Sequence, residues 1–254
     1  MGALHEGHLS LIRLAKTCCD RVAASLFVNP AQFEPTEDFA AYPRHEARDA
    51  ALLAEAGCDL LYVPDVDAIY PLGFATKVTV AGLTEPMEGR IRPTHFDGVA
   101  TVVAKLLIQA VPDVAVFGEK DFQQLQVIRR LVRDLDLGVE ILGAPIARDP
   151  DGLALSSRNV YLNPEQRLIA PRLHHVLTDV ARSISVGEPI DEVEAAGRAA
   201  LIAAGFTEVD YLETRQSESL ERLGPGRLSS PARVICAAHL GGTRLLDNMA
   251  VTAP

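Results

Sequence analysis

Two histidines near the start of the chain, His5 and His8 in the stretch MGALHEGHLS, have the residue types and spacing that suit phosphate chemistry. The apolar residues that follow predict an amphipathic helix over 9–19, with both imidazoles extending from a first turn that begins near Gly7. A helix N-terminus favours phosphate, and imidazoles add hydrogen-bond donors without a permanent charge. Ordinary surface or core histidines fit the same pattern, whereas a zinc site would need further ligands at a suitable spacing.

Two more stretches hold candidate binding residues after predicted strands. FVNPAQF ends a strand at Asn29 and then offers the amide of Gln32 to a substrate hydroxyl or carboxylate, unless Gln32 is a solvent-facing loop residue. In FGEKDFQQL, Lys120 lies at a strand-to-helix turn that suits phosphate. Asp121 could bind ribose hydroxyls or simply cap the next helix, and Gln124 follows one turn later.

Two loops complete the set of polar clusters. EGRIRPTHFDGVAT places Arg92 and His95 before a helix, where they could form an anion clamp, a lid or a solvated loop. DGLALSSRN holds two hydroxyls and a guanidinium, from Ser156 to Arg158, which would suit a phosphate-binding tip but also occur in ordinary loops.

The composition excludes several classes of protein. The 254 residues are 48% apolar, carry a net charge of −10 and include no Trp, so nucleic acid and anionic membranes are poor candidate partners. The four cysteines have no disulfide or zinc spacing, which is typical of a reducing compartment. With no visible signal peptide and no apolar run of membrane-spanning length, we expect a cytoplasmic protein.

The elements that must position these residues alternate between strand and helix. Strands are predicted over 21–29, 59–63, 77–80, 114–117 and 139–142, with helices over 46–56, 99–111 and 121–135. This alternation predicts an α/β fold with a doubly wound parallel sheet. After a boundary near residue 147, helices over 164–183 and 190–204 precede strands over 206–215, 233–240 and 243–248, which predicts a smaller α+β domain.

The order of these stretches resembles the pantothenate synthetase (pantoate–β-alanine ligase) family. MGALHEGH resembles that family's version of the HIGH motif, and LSSRN stands where related nucleotidylyl transferases carry KMSKS. The stretches FVNPAQF, AYPR, RPTHFDGVATVV, FGEKDFQQL, GLALSSRNVYL and TRLLDN match in order and rough spacing, over nearly the whole chain. The resemblance implies a Rossmann-like domain over 1–146 that binds ATP and pantoate, and a smaller domain over 147–254 that carries the SSRN loop.

The resemblance also implies the reaction. Pantoate and ATP would form an enzyme-bound pantoyl adenylate and pyrophosphate, and β-alanine would then attack the adenylate to give pantothenate and AMP, with Mg²⁺ required. Homodimers formed through the larger domain are expected on the same basis.

Site roles follow residue by residue from the resemblance. The expected catalytic residues, which contact the ATP phosphates, are His5, His8, Lys120, Ser156, Ser157 and Arg158. The expected ATP site adds Met1, Gly118, Glu119, Asp121 and Leu155, with Gly118 and Asp121 at the ribose. The expected pantoate site comprises Gln32, Gln124, Met1, Asn29, Tyr42, Arg92 and His95, and Asp49 matches an acidic position near the metal.

The start of the chain departs from the family pattern. In the family, a strand ending in Pro-Thr comes directly before the Met-Gly-Ala stretch, with which this numbering begins. We expect a chain that truly lacks that strand to lose core packing, unless an upstream segment supplies it. Smaller departures are Leu155, where methionine is common, and His239, where arginine is common.

Two other functions remain open from the sequence. One is another H-x-G-H nucleotidylyl transferase, which would make a dinucleotide, although that class would lack the paired glutamines Gln32 and Gln124. The other is a nucleotide-binding protein that has lost catalysis. AMP release that depends on both ATP and β-alanine would exclude the second alternative.

Overall fold

The computed structural model of the chain describes residues 2–33 and 45–252. These residues divide into two compact units, Met1–Pro145 and Ile146–Pro254. Two of the predicted site residues, Met1 and Tyr42, lie outside the described ranges. None of the helices in those ranges combines the length and the apolar character needed to cross a bilayer.

The first unit alternates short parallel strands with helices. Its strands are β1 (Ala23–Ser25), β2 (Leu60–Tyr62), β3 (Val114–Gly118) and β4 (Glu140–Ala144). Its helices are α1 (Glu6–Cys18), α2 (Glu46–Glu55), α3 (Val66–Ile69), α4 (Glu88–Ile91), α5 (His95–Ala110) and α6 (Phe122–Asp134), with 3-10 turns at Pro30–Gln32 and Glu119–Asp121.

The strands of this unit pair in parallel, which confirms the predicted α/β class. β1 pairs with β2 from Ala23 opposite Leu60, and β3 pairs with β4 from Val114 opposite Glu140. Within the described ranges these are two separate two-stranded sheets. The strand predicted over 77–80 is absent there, since the N–H of Val78 bonds to the hydroxyl of Thr101, 3.0 Å away, rather than to a neighbouring strand.

Apolar faces of the helices close over these strands. Leu4 and Ile12 share a cluster with Val22 and Leu53, so the helix that follows His5 is fixed by the packing of α1 against α2 and β1. Leu107 and Ile128 belong to a second cluster, which lies under α5 and α6. The two helices bring the residues at their N-termini to fixed positions.

The second unit is an antiparallel sheet covered by helices, as the α+β prediction expected. Its strands β5 (Glu208–Gln216), β6 (Ala232–Leu240) and β7 (Thr243–Val251) pair in the order β5-β6-β7. Helices α7 (Pro164–Ile169), α8 (Arg172–Ser185) and α9 (Ile190–Ala203) precede it, after a 3-10 turn at Ser157–Tyr161. Leu177, Leu201 and Val234 lie fully buried in its core.

Several predicted boundaries were wrong for identifiable reasons. The single helix expected over 164–183 is two helices, because Pro171 lacks the N–H that would continue the ladder. α5 begins at His95 rather than at residue 99, since His95 and Phe96 are buried despite the polar residues around them. α1 begins at Glu6, three residues earlier than predicted.

Candidate active site

The two histidines form a capping box at the start of α1. His5 is the N-cap residue, and its Nδ1 accepts a hydrogen bond from the N–H of Gly7 at 3.1 Å. His8 is the third residue of the helix, and its Nδ1 accepts from the N–H of His5 at 3.3 Å. A neutral imidazole that accepts at Nδ1 carries its proton on Nε2. The backbone therefore selects the same tautomer in both rings, whose centroids are 4.0 Å apart.

Both rings are held neutral. Burial lowers the pKa of His8 to about 3, and the nearby His5 and Lys120 act in the same direction. Burial also lowers the pKa of His5, with Lys120 lowering it further and Asp121 opposing. Among the described residues, neither Nε2 atom has a hydrogen-bond partner. The site therefore offers two adjacent N–H donors beside an ammonium group, which suits an anion such as phosphate.

Lys120 and Asp121 reach this site from the end of β3. Gly118 ends the strand, and the 3-10 turn Glu119–Asp121 leads into α6. Asp121 is the N-cap of α6 but makes no side-chain capping bond; its Oδ1 lies 3.5 Å from the Nζ of Lys120. Asp121 therefore takes the predicted N-cap position, but its side chain does not cap the helix. Gln124 follows, half-buried, in the first turn of α6.

Asp49, on α2, binds the backbone that comes directly before His5. Its side chain is 1% exposed, and its two carboxylate oxygens accept the N–H groups of Ala3 and Leu4, each at 2.9 Å. Both oxygens are thus engaged by the backbone that leads into His5. Each carboxylate oxygen keeps a second lone pair, so the sequence-based placement of Asp49 near the metal stays a prediction.

The 3-10 turn Pro30–Gln32 is held by the segment expected to clamp an anion. The carbonyl oxygen of Gln32 lies 2.9 Å from Nδ1 of His95 and 3.2 Å from a guanidinium nitrogen of Arg92. His95 is buried, and Arg92 lies 3.7 Å from the carboxylate of Glu88. Arg92 and His95 thus fix the main chain of Gln32, whose half-buried side chain meets that of Asn29.

The serine-arginine loop lies in the second unit. Ser156 caps the 3-10 turn Ser157–Tyr161 by accepting the N–H of Arg158 at 3.3 Å. Leu155 and both serines are half-buried, as is Arg158. The loop therefore has a defined conformation within its own unit.

Ion pairs hold the segments that come before and after this loop in the chain. Arg148 binds both oxygens of Asp247 on β7, at 2.6 and 2.8 Å. Arg167 binds Asp149 at 2.8 Å and Asp151 at 2.6 Å. Bidentate and paired guanidinium contacts of this kind fix geometry as well as charge.

A separate cluster in the second unit could offer metal ligands. Glu208, Asp210 and His239 present one ligand atom each, all within 4.8 Å of one another. Arg244 already lies 2.6 Å from the carboxylate of Asp210, so a cation there would compete with a guanidinium.

The contacts within the first unit therefore gather the predicted residues into two groups. His5 and His8 lie with Lys120 and Asp121, while Asn29 and Gln32 lie with Arg92 and His95. Sequence reasoning missed Tyr70, whose hydroxyl bonds to Asn29 at 2.7 Å, and the backbone role of Asp49. No local pattern marks Tyr70, since its partner is 41 residues away.

The chain is similar to known proteins over its full length. The family model described as pantoate-beta-alanine ligase matches residues 1–250. The pantothenate synthetases of Caulobacter vibrioides and Rhodospirillum rubrum are each 58% identical, over 99% of this chain and 88% and 89% of their own lengths.

Solved structures agree with these relatives. The pantothenate synthetase of Thermus thermophilus is 49% identical with a TM-score of 0.95, over 100% of this chain and 91% of that one. The pantoate-beta-alanine ligase of Francisella tularensis, solved with beta-gamma ATP and beta-alanine, is 34% identical with a TM-score of 0.80, over 98% and 87% of the two chains.

Proposed function

The chain belongs to the pantoate–β-alanine ligase family, and from this we propose that it joins pantoate to β-alanine through a pantoyl adenylate. The observation that carries the mechanism is the pair of Nε2 donors on His5 and His8 beside Lys120. Neutral hydrogen-bond donors next to one cation suit a reaction in which negative charge shifts along the phosphate groups of ATP.

The first step needs no strong base. A carboxylate oxygen of pantoate, already ionised at pH 7, attacks the α-phosphorus of ATP, and the bond to pyrophosphate breaks. His5, His8 and Lys120 would bind phosphate oxygens and stabilise the charge that develops in the transition state. Because both imidazoles are neutral, they add no fixed charge that would retain pyrophosphate.

The second step transfers the acyl group. The neutral amine of β-alanine attacks the carbonyl carbon of the adenylate, AMP leaves, and the nitrogen releases one proton. The neighbour from Francisella tularensis was solved with beta-alanine and an ATP compound, which supports both substrates for this family member. No protein nucleophile is required on this path.

Substrate binding is divided among the groups of side chains. Gln32 and Gln124 would bind pantoate through their amides, with Arg92 and His95 holding the main chain of Gln32. Gly118, Glu119 and Asp121 would bind the nucleoside part of ATP. For the residues outside the first unit or outside the described ranges, the proposal depends on family membership alone; these are Leu155, Ser156, Ser157, Arg158, Met1 and Tyr42.

Magnesium would enter with ATP as part of the substrate. Mg²⁺ in nucleotide sites is typically bound by phosphate oxygens together with one or two carboxylates. Asp49 would lie near this metal by family resemblance, and each of its oxygens accepts one backbone N–H group and keeps a second lone pair. Family resemblance also supports a cytoplasmic homodimer, and the four free cysteines agree with a reducing compartment.

Isotope exchange tests this proposal. Labelled pyrophosphate should appear in ATP when the chain is supplied with ATP, Mg²⁺ and pantoate, in the absence of β-alanine. Such exchange requires a reversible adenylate. Pantothenate formation without any pantoate-dependent exchange would contradict the adenylate path.

A further inference from the structure

Asn29 has no hydrogen-bonding capacity left for a substrate. It is 3% exposed, and its Oδ1 accepts from the N–H of Ala31 at 3.2 Å and from the hydroxyl of Tyr70 at 2.7 Å. Its Nδ2 donates to the carbonyl of Gly98 at 3.1 Å and to Oε1 of Gln32 at 3.2 Å. A primary amide has two N–H groups and two oxygen lone pairs, so these contacts use all four. The predicted direct contact of Asn29 with pantoate is therefore not available.

The direction of these hydrogen bonds is fixed by two backbone groups. The carbonyl of Gly98 can only accept, so the nitrogen of the Asn29 amide must face it. The N–H of Ala31 can only donate, so the amide oxygen must face that side. It follows that the hydroxyl of Tyr70 is a donor.

The same logic orients the side chain of Gln32. Because Nδ2 of Asn29 donates to it, Gln32 must turn Oε1 toward Asn29. The main chain of Gln32 is held by Arg92 and His95 through its carbonyl oxygen. Within the described ranges Nε2 of Gln32 has no partner, so the end of the amide left for a ligand is the donor end.

We propose that Tyr70 is a positioning residue, which acts through Asn29 to hold Gln32 with its amide N–H groups available to the hydroxy-acid substrate. This inference rests on the proposed function, in which Gln32 binds pantoate. The arrangement selects a ligand that accepts hydrogen bonds, such as a carboxylate or hydroxyl oxygen. It disfavours a group that only donates, such as the ammonium of β-alanine.

Tyr70 is itself firmly placed. Its ring meets the edge of Phe74, with centroids 5.2 Å apart, and lies 6.5 Å from the ring of Phe27. Burial raises the pKa of the Tyr70 hydroxyl to about 12, against the lowering effect of its bond to Asn29. The hydroxyl therefore remains a donor over the whole working range of pH.

Tyr70→Phe removes the hydroxyl and keeps the ring. In the pyrophosphate exchange assay we expect KM for pantoate to rise about tenfold, the usual order for one lost buried hydrogen bond, while KM for ATP stays within about twofold. Tyr62→Phe is the matched control, since Tyr62 is 38% exposed on β2, and both of its KM values should match the wild type. An unchanged KM for pantoate in Tyr70→Phe would overturn the proposal.

A double-mutant cycle separates positioning from general structure. In a Gln32→Ala background, adding Tyr70→Phe should change kcat/KM for pantoate by less than about twofold, because the residue it positions is gone. An equal loss in both backgrounds would show that Tyr70 acts by another route, and would overturn the proposal.

A second variant tests the inference even if Tyr70→Phe folds poorly. Gln32→Glu, at a half-buried position, can still accept from Nδ2 of Asn29 but has lost the N–H groups that face the ligand, so KM for pantoate should rise by more than about tenfold with KM for ATP retained. An unchanged KM for pantoate in this variant would contradict the inference. A wild-type chain without pantoate-dependent exchange would instead contradict the proposed function, whatever the variants do.

Discussion

At the scale of single residues, His5 and His8 serve the helix and the proposed substrate at once. N-terminal caps are usually Ser, Thr, Asp or Asn, paired with Glu or Gln at the third helical position. Here two imidazoles take both places, each accepting a backbone N–H at Nδ1. A carboxylate in either position would cap the helix but could not donate to a phosphate. Imidazole does both, which explains why neutral rings suit this site.

Removing one of the donors should slow adenylate formation. We expect His5→Ala and Lys120→Ala each to lower the single-turnover rate by about 10²-fold or more, the usual effect of losing one transition-state donor. His45→Ala is the control, because His45 is exposed and makes no side-chain capping bond to α2. Near-normal single-turnover rates in both site variants would refute the phosphate contacts.

The low pKa of His8 makes stability depend on pH. Its folded value of about 3 lies below the ordinary 6.5, so between these values the unfolded chain binds a proton that the folded chain does not. Stability is therefore highest above pH 6.5 and falls as the pH decreases toward 3, by at most about 1.4 kcal/mol per pH unit from this group.

His8→Gln isolates that effect. Glutamine at the third helical position can still accept the N–H of residue 5, but it does not titrate. Denaturant unfolding at pH 7 and pH 5 should show a smaller loss of stability in the variant than in the wild type. Equal losses would mean that His8 does not cause the pH dependence.

At the scale of elements, α2 positions the start of α1. Asp49 on α2 binds the N–H groups of Ala3 and Leu4, which are 46 and 45 residues away in sequence. The capping box is thus placed by a helix that carries none of the proposed reactive groups. A buried carboxylate between two N–H donors is satisfied without any metal.

Asp49→Asn distinguishes this role from metal binding. One oxygen becomes an amide nitrogen that faces a backbone N–H, which should cost about 1–3 kcal/mol of stability and lower kcat. The Mg²⁺ concentration for half-maximal activity should not change. Glu46→Gln, at an exposed position on the same helix, is the matched control. A raised Mg²⁺ requirement specific to Asp49→Asn would favour the metal role instead.

The contact of α5 with the turn Pro30–Gln32 depends on one glycine. A Cβ atom at Gly98 would lie 2.1 Å from the carbonyl oxygen of Ala31, so an alanine there must displace the turn that carries Gln32. In a helix, alanine is otherwise favoured over glycine by about 1 kcal/mol. We therefore expect Gly98→Ala to destabilise the chain and to raise KM for pantoate.

Gly242→Ala provides the comparison, because a Cβ there would meet nothing within 4 Å. It should leave KM for pantoate unchanged. If Gly98→Ala proved more stable than the wild type and bound pantoate normally, the close approach of the two elements would not be essential.

At the scale of the whole molecule, the sequence predicts the class of fold and most elements. The periodicity from Val99 to Ala110 identifies α5, and the apolar run after Pro112 identifies β3. Both depend on local patterns, which single elements carry in their own residues. The polar stretches found from the sequence also contain the residues that the structure gathers around His5 and Gln32.

What the sequence could not predict depends on distant partners. Family resemblance places Asp49 near the metal, and only its contacts with Ala3 and Leu4 reveal that it also holds the backbone before His5. Tyr70 carried no signal, since its hydroxyl meets a side chain 41 residues earlier. The capping role of His5 required knowing that α1 begins at Glu6. Each of these facts is set by packing between elements.

The most direct test is AMP release by the purified chain with ATP, Mg²⁺ and pantoate, with and without β-alanine. A pantoate–β-alanine ligase should release AMP at a steady rate only when both pantoate and β-alanine are present, with one pantothenate formed for each AMP. A chain that melts cooperatively and binds ATP, yet releases no AMP with both substrates present, would contradict the proposed activity.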